Sequence, residues 1–118
     1  MNGKKRSNKG TKTTTKRKRD IYGLSERRWK FLNEFLENER EINKNDPDEL
    51  AWIEPLLEHI KQRKLTLNDM DMLMDVMYAE AEYECNKGNY QLAALYDSIK
   101  DKLRVARRKL KNKENGGN

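Results

Sequence analysis

The chain has 118 residues, with 26 Lys and Arg against 20 Asp and Glu, so the formal net charge is +6. That length allows one domain of ordinary size and not two. Mean hydropathy is −1.19, and no stretch approaches the roughly 18 apolar residues of a membrane span or the apolar core of a signal peptide, so a soluble, unprocessed chain with no membrane partner is expected. Cys85 is the single cysteine, which excludes an internal disulfide and any multi-cysteine metal site, and it suits a reducing compartment. The expected location is cytoplasmic: nucleoid-associated in a bacterium or phage, nuclear in a eukaryote.

Charge is distributed by segment. Residues 1–20 sum to +8, residues 21–45 to zero, 46–64 to −2, 65–99 to −6 and 100–118 to +6. Apolar residues follow a different division, because residues 1–20 contain only Met1 and residues 21–110 hold all the others. A basic N-terminal arm (1–20), a helical domain (21–111) and a flexible tail (112–118) are therefore expected.

Nothing in MNGKKRSNKGTKTTTKRKR offsets the entropy of ordering it, so the arm is expected to be disordered alone. Lys4, Lys5, Arg6, Lys9 and Lys12 are followed by the Lys16, Arg17, Lys18, Arg19 cluster. Flexible cations of this kind neutralise phosphates and release counterions, giving salt-sensitive and largely sequence-independent affinity for DNA or RNA. The two-cluster spacing also fits a bipartite nuclear import signal. The arm has no aromatic residue for base stacking. Its bland reading is a solubilising tail.

Period and caps predict four helices. The first, about 25–43, has Ser25 as N-cap and a stripe of Leu24, Trp29, Leu32, Phe35 and Leu36, with Phe31 off the stripe and in need of a second contact surface. The second, about 47–64, begins at Asp46-Pro47-Asp48-Glu49, an Asp cap with Pro at the first position and Glu placed for a capping box. Leu50, Trp52, Ile53, Leu56, Leu57 and Ile60 give it a broad apolar face, and Pro55 interrupts its hydrogen bonds. The third, about 67–87, starts at Thr66 or Asn68 and ends at Gly88 in a left-handed cap. Its seam is read as Leu67, Met70, Met74, Met77 and Ala81. A second stripe of Met72, Val76, Ala79 and Tyr83 is the candidate partner interface, with self-association as the expected use. The fourth, about 90–111, carries Leu92, Tyr96, Ile99, Leu103, Ala106 and Leu110 at coiled-coil spacing. The fold class is thus an all-α four-helix bundle with a long C-terminal antiparallel hairpin.

Folding the last two helices back at Gly88-Asn89 sets Asp69 against Arg107 or Arg108, and Asp75 against Lys102. Most basic groups of residues 100–111 are then expected to be partners for the acidic third helix. Catalysis is not expected. His59 has Pro55 and Arg63 as helical neighbours, no zinc-ligand set is visible, Cys85 has no histidine near it in sequence, and phosphate loops and nucleophile elbows are missing. Carboxylate pairs such as Glu54/Glu58 and Asp71/Asp75 read as a solvated face, so no metal or cofactor is expected. A helix-turn-helix reading of the second and third helices would push Asn68, Asp69, Asp71 and Asp75 at a polyanion. Nucleic-acid contacts are expected instead from the arm, from Arg27, Arg28 and Lys30, and secondarily from Arg104 to Lys113.

Two short segments resemble known families. Leu24 to Leu36, LSERRWKFLNEFL, resembles the opening helix of bacteriophage small terminase subunits, which implies DNA binding by an N-terminal helical domain and oligomerisation through a helical hairpin. The segment from Asp46 departs from the alanine-rich helices of that pattern. Gly88-Asn89-Tyr90-Gln91-Leu92-Ala93 resembles the inter-helix turn of a tetratricopeptide repeat, present once. The leading expectation is a non-enzymatic nucleic-acid-binding accessory protein that oligomerises or docks a partner. The alternatives are an adaptor or inhibitor that uses the acidic, Met-rich third helix, and a phage virion or DNA-packaging component.

Overall fold

This computed structural model describes residues 20–116, which fold into four helices joined by short connections. α1 spans Glu26–Ile42, α2 Pro47–Gln62, α3 Leu67–Asn86 and α4 Tyr90–Gly116. The architecture is all-α: α3 and α4 form the long antiparallel hairpin, and α1 and α2 form a second pair packed on it through one shared core. The expected disorder of the arm, and its nine cations, lie outside the described residues.

Local chemistry explains where each helix starts. The Ser25 hydroxyl accepts from Arg28 N, and the Asp46 carboxylate accepts from Asp48 N and Glu49 N with Pro47 following. Glu49 does not close the expected capping box, because its carboxylate accepts instead from the Trp52 indole at 3.0 Å. The complete box is at α3, where Thr66 Oγ1 accepts from Asp69 N and Asp69 Oδ2 accepts from Thr66 N. Gly88, at φ +83°, ends α3 as expected, with Asn89 N donating to Glu84 O and Gly88 N to Cys85 O. α2 ends the same way without a glycine. Arg63 adopts φ 57°, and Lys64 N donates to His59 O while Arg63 N donates to Ile60 O.

The core joins all four helices and the segment before α1. Leu32, Leu36, Leu56, Met70, Leu73, Met77, Ile99 and Leu103 are fully enclosed. Leu73, not Met74, is the inner residue of α3, so its seam runs Met70, Leu73, Met77, Ala81; Met74 is half-buried. Phe31 finds its second surface on α4, where it and Phe35 meet the Tyr96 ring edge-on at 5.4 and 5.9 Å. Tyr22, which lies outside every helix, is buried and clamps the α2–α3 linker, donating to Leu65 O at 3.3 Å and accepting from Leu65 N at 2.8 Å. The neighbouring Asp20 carboxylate accepts from Tyr22 N, Leu24 N and the Trp29 indole. Asp20 and Tyr22 thereby tie the segment before α1 to the core.

α4 continues past the expected end at Lys111 to Gly116. Its apolar periodicity stops at Leu110, but helix backbone hydrogen bonds need no apolar face, and nothing before Gly116 breaks the run. Its 27 residues make a rod of about 40 Å.

Candidate nucleic-acid interface

The C-terminal half of α4 concentrates positive charge. Residues 102–113 contain Lys102, Arg104, Arg107, Arg108, Lys109, Lys111 and Lys113 and no carboxylate. Leu103, Ala106 and the half-buried Leu110 turn one side of this segment to the core, so its cations are confined to the remaining surface. At about 100° per residue, Arg104, Arg107 and Lys111 fall on one flank of the core stripe and Lys102, Lys109 and Lys113 on the other. Val105, Arg108 and Asn112 lie between the flanks, and all three are exposed.

The flank facing α3 borders an open cleft of about 380 Å³ lined by Asp71, Met74, Arg104, Arg107 and Lys111, with Arg108 and Asn112 at its outer edge. The other flank borders a shallow cleft where Asp20, Ile21 and Gly23 meet Lys102, Val105 and Lys109. The described chain therefore begins beside the Lys102 flank.

The expected neutralisation of α4 by α3 is corrected. Asp69 does not face Arg107 or Arg108, because its carboxylate is turned to Thr66 N and, at 2.7 Å, to His59 Nδ1. Arg107 pairs with Asp71 instead, through Nε–Oδ1 and Nη2–Oδ2 contacts, the latter at 3.2 Å. The Asp75–Lys102 pair does not form; Asp75 is exposed on another face. Among the described residues this leaves one ion pair across the hairpin. Lys100 and Arg104 pair within α4, with Asp97 and Asp101. Lys102, Arg108, Lys109, Lys111 and Lys113 have no carboxylate within ion-pair distance among the described residues.

The three α1 candidates separate. Arg27 and Lys30 are exposed beside an open cleft of about 430 Å³ with Phe31, Glu34 and Leu95. Arg28 is half-buried and spans to α4, where its Nη2 donates to Ser98 Oγ at 2.7 Å, and its Nε is buried without a partner. It ties α1 to α4 and is poorly placed to meet phosphate. On α3, Met72 and Val76 are half-buried against the core, whereas Ala79 and Tyr83 are exposed, with Lys87 Nζ 4.9 Å from the Tyr83 ring centre.

Negative charge gathers at the opposite end of the hairpin. Burial, reinforced by Glu39 and Glu84, pushes the Glu80 carboxyl above its ordinary value, and the Tyr96 phenol is pushed up to about 12 by burial and then by Glu80, Glu84 and Glu39. The exposed tyrosines Tyr78, Tyr83 and Tyr90 lie on α3 and at the start of α4, with Lys100 Nζ 5.3 Å from the Tyr78 ring centre. No group of three or more His, Cys, Asp or Glu among the described residues is arranged to hold a metal ion, and no helix there is long and apolar enough to cross a membrane.

No protein-family model, curated protein or solved structure matches the chain. The resemblance of residues 24–36 to small terminase subunits rests on those residues alone. They open α1, where Leu24, Trp29, Leu32 and Leu36 serve the core and leave Arg27 and Lys30 outside.

Proposed function

We propose that this chain is a nucleic-acid-binding accessory protein that acts by binding, not by catalysis, and holds the phosphate backbone with two cationic elements, the arm and the C-terminal half of α4. The observation that carries the reading is the unbroken run of seven cations in residues 102–113, five of them without a carboxylate partner among the described residues. Like charges held on one rigid helix repel, and a polyanion relieves that repulsion while releasing its counterions. The described chain begins beside Lys102 and Lys109, which lets both elements serve one ligand.

A salt titration of the full chain against a mixed pool of single- and double-stranded DNA and RNA tests this. Affinity should fall linearly on a log–log plot, with a slope of about −0.9 for each duplex phosphate neutralised. Deleting residues 1–19 should remove most of the slope, and neutralising the α4 cations should remove much of the remainder. Absence of binding to every member of the pool at low salt rejects the reading.

A further inference from the structure

Resting on that reading, we infer that the nucleic acid is B-form duplex DNA and that residues 102–113 of α4 lie in its major groove, with one phosphate strand against each cationic flank. Three observations converge on this.

The first is the two-sided arrangement. A helix lying on a single strand, or across one backbone, uses cations on one side only. Here Arg104 and Lys111 stand on one flank and Lys102, Lys109 and Lys113 on the other, with the core stripe between them on the protein side. A helix with its side chains is about 10–12 Å wide, and the major groove of B-DNA is about 12 Å wide with a phosphate strand along each wall. Cations on both flanks therefore meet both walls at once.

The second is what fills the outward ridge. Arg108 and Asn112 are exposed there at i and i+4, with Val105 one turn earlier and 40 % exposed. Arginine and asparagine match the paired acceptor and donor edges of guanine and adenine in the major groove, and an apolar side chain packs on the thymine methyl. The first carboxylate on the N-terminal side is Asp101, which Arg104 neutralises at 3.0 Å. It marks where the groove contact stops.

The third is the distribution of aromatic residues. Single-strand binders supply exposed rings on which bases stack. Residues 102–113 contain none; Tyr83 and Tyr90 lie towards the Gly88 turn, and the Tyr78 ring is already engaged by Lys100 Nζ at 5.3 Å. Duplex RNA is excluded on shape, because the A-form major groove is too narrow and deep for a helix.

The test uses the full chain and equal-length duplex DNA, single-stranded DNA and duplex RNA of one mixed sequence, read by fluorescence anisotropy over a salt series. Duplex DNA should bind several-fold tighter than either alternative, and a dye that occupies the major groove should compete for it while a minor-groove dye should not. Two variants probe the flanks: Lys102→Gln/Lys109→Gln/Lys113→Gln on one and Arg104→Gln/Lys111→Gln on the other. The first should lower the salt slope for duplex DNA by about 3 and the second by about 2, as the loss of three and of two phosphate contacts requires. Arg107 is left intact because it holds Asp71, and circular dichroism checks that both variants keep their helix. Equal binding of single strands or duplex RNA, or a slope that responds to only one flank, overturns the groove assignment while leaving nucleic-acid binding standing. Failure of all three probes to bind rejects binding itself.

Discussion

Arg107 on α4 grips Asp71 on α3 through two nitrogen–oxygen contacts, the one ion pair that crosses the hairpin among the described residues. Both side chains are partly exposed, so the pair adds little to stability, about 0 to 1 kcal/mol. Its larger effect is on the surface, since Asp71 withholds one guanidinium from the cationic cleft and sets a carboxylate at its edge. The Asp71→Asn variant should keep the wild-type melting temperature to within a few degrees, bind nucleic acid more tightly, and show a salt slope steeper by about 1. Unchanged affinity in the same titration would place this flank outside the binding surface.

Tyr22 is worth more to the fold than its position before the first helix suggests. Its hydroxyl satisfies both the N–H and the C=O of Leu65 in a buried site. The Tyr22→Phe variant keeps the ring and its 5.7 Å edge contact with Trp29 but strands both backbone groups. A loss of about 1–3 kcal/mol is expected, the cost of a buried unsatisfied donor, readable as a lower urea midpoint at unchanged slope. A variant within error of wild type would mean that water reaches Leu65.

Features written in neighbouring residues were legible from sequence. Ser25, Asp46-Pro47 and Gly88 mark helix ends because cap chemistry is local, whereas the start of α3 stays open between Thr66 and Asn68 in the sequence and is fixed by the Thr66–Asp69 box. Features that depend on the rotational phase of one helix against another were not. Leu73 and Met74 both satisfy a spacing of three or four from Met70, and only the packing against α4 selects Leu73. The same ambiguity misassigned the partner of Arg107, since Asp69 and Asp71 lie about 200° apart on α3 and summed charge does not distinguish them. Tyr22 has no periodic neighbours to announce it, and the bond between His59 and Asp69 joins helices that spacing along one helix cannot connect. Summed charge located the basic C-terminal segment but overstated how much of it α3 neutralises.

Arg63 occupies the left-handed region at φ 57°, where a side chain costs about 1–2 kcal/mol relative to glycine. Its guanidinium offsets that cost by pairing with both oxygens of Glu26, at 2.6 and 2.7 Å, and by lying 5.6 Å from the Trp29 ring centre. Truncation separates the two effects. The Arg63→Ala variant loses the contacts and keeps the strain, whereas Arg63→Gly loses the contacts and relieves it. The glycine variant should therefore be the more stable of the two by about 1 kcal/mol, although glycine is the smaller residue. Thermal melts in which alanine equals or exceeds glycine would show that the backbone relaxes out of the left-handed region.

The acidic end of the hairpin gives the fold a pH dependence of known sign. Burial first, and then Glu39 and Glu84, raise the Glu80 carboxyl above its ordinary value of 4.5. A carboxyl whose folded-state value lies above its unfolded one binds more protons in the native state within that window. Its stabilising contribution is present below about 4.5 and is lost as the pH climbs through the raised value. At neutral pH Glu80 is therefore a charge the fold tolerates at a cost. The Glu80→Gln variant removes that charge and keeps a side chain of nearly the same shape. It should melt at a higher temperature than wild type at pH 7, by less than about 1 kcal/mol of stability for a partly exposed group, and the two proteins should converge as the pH falls below 4.5. A stabilisation that persists undiminished in acid would assign the gain to packing and not to the carboxylate.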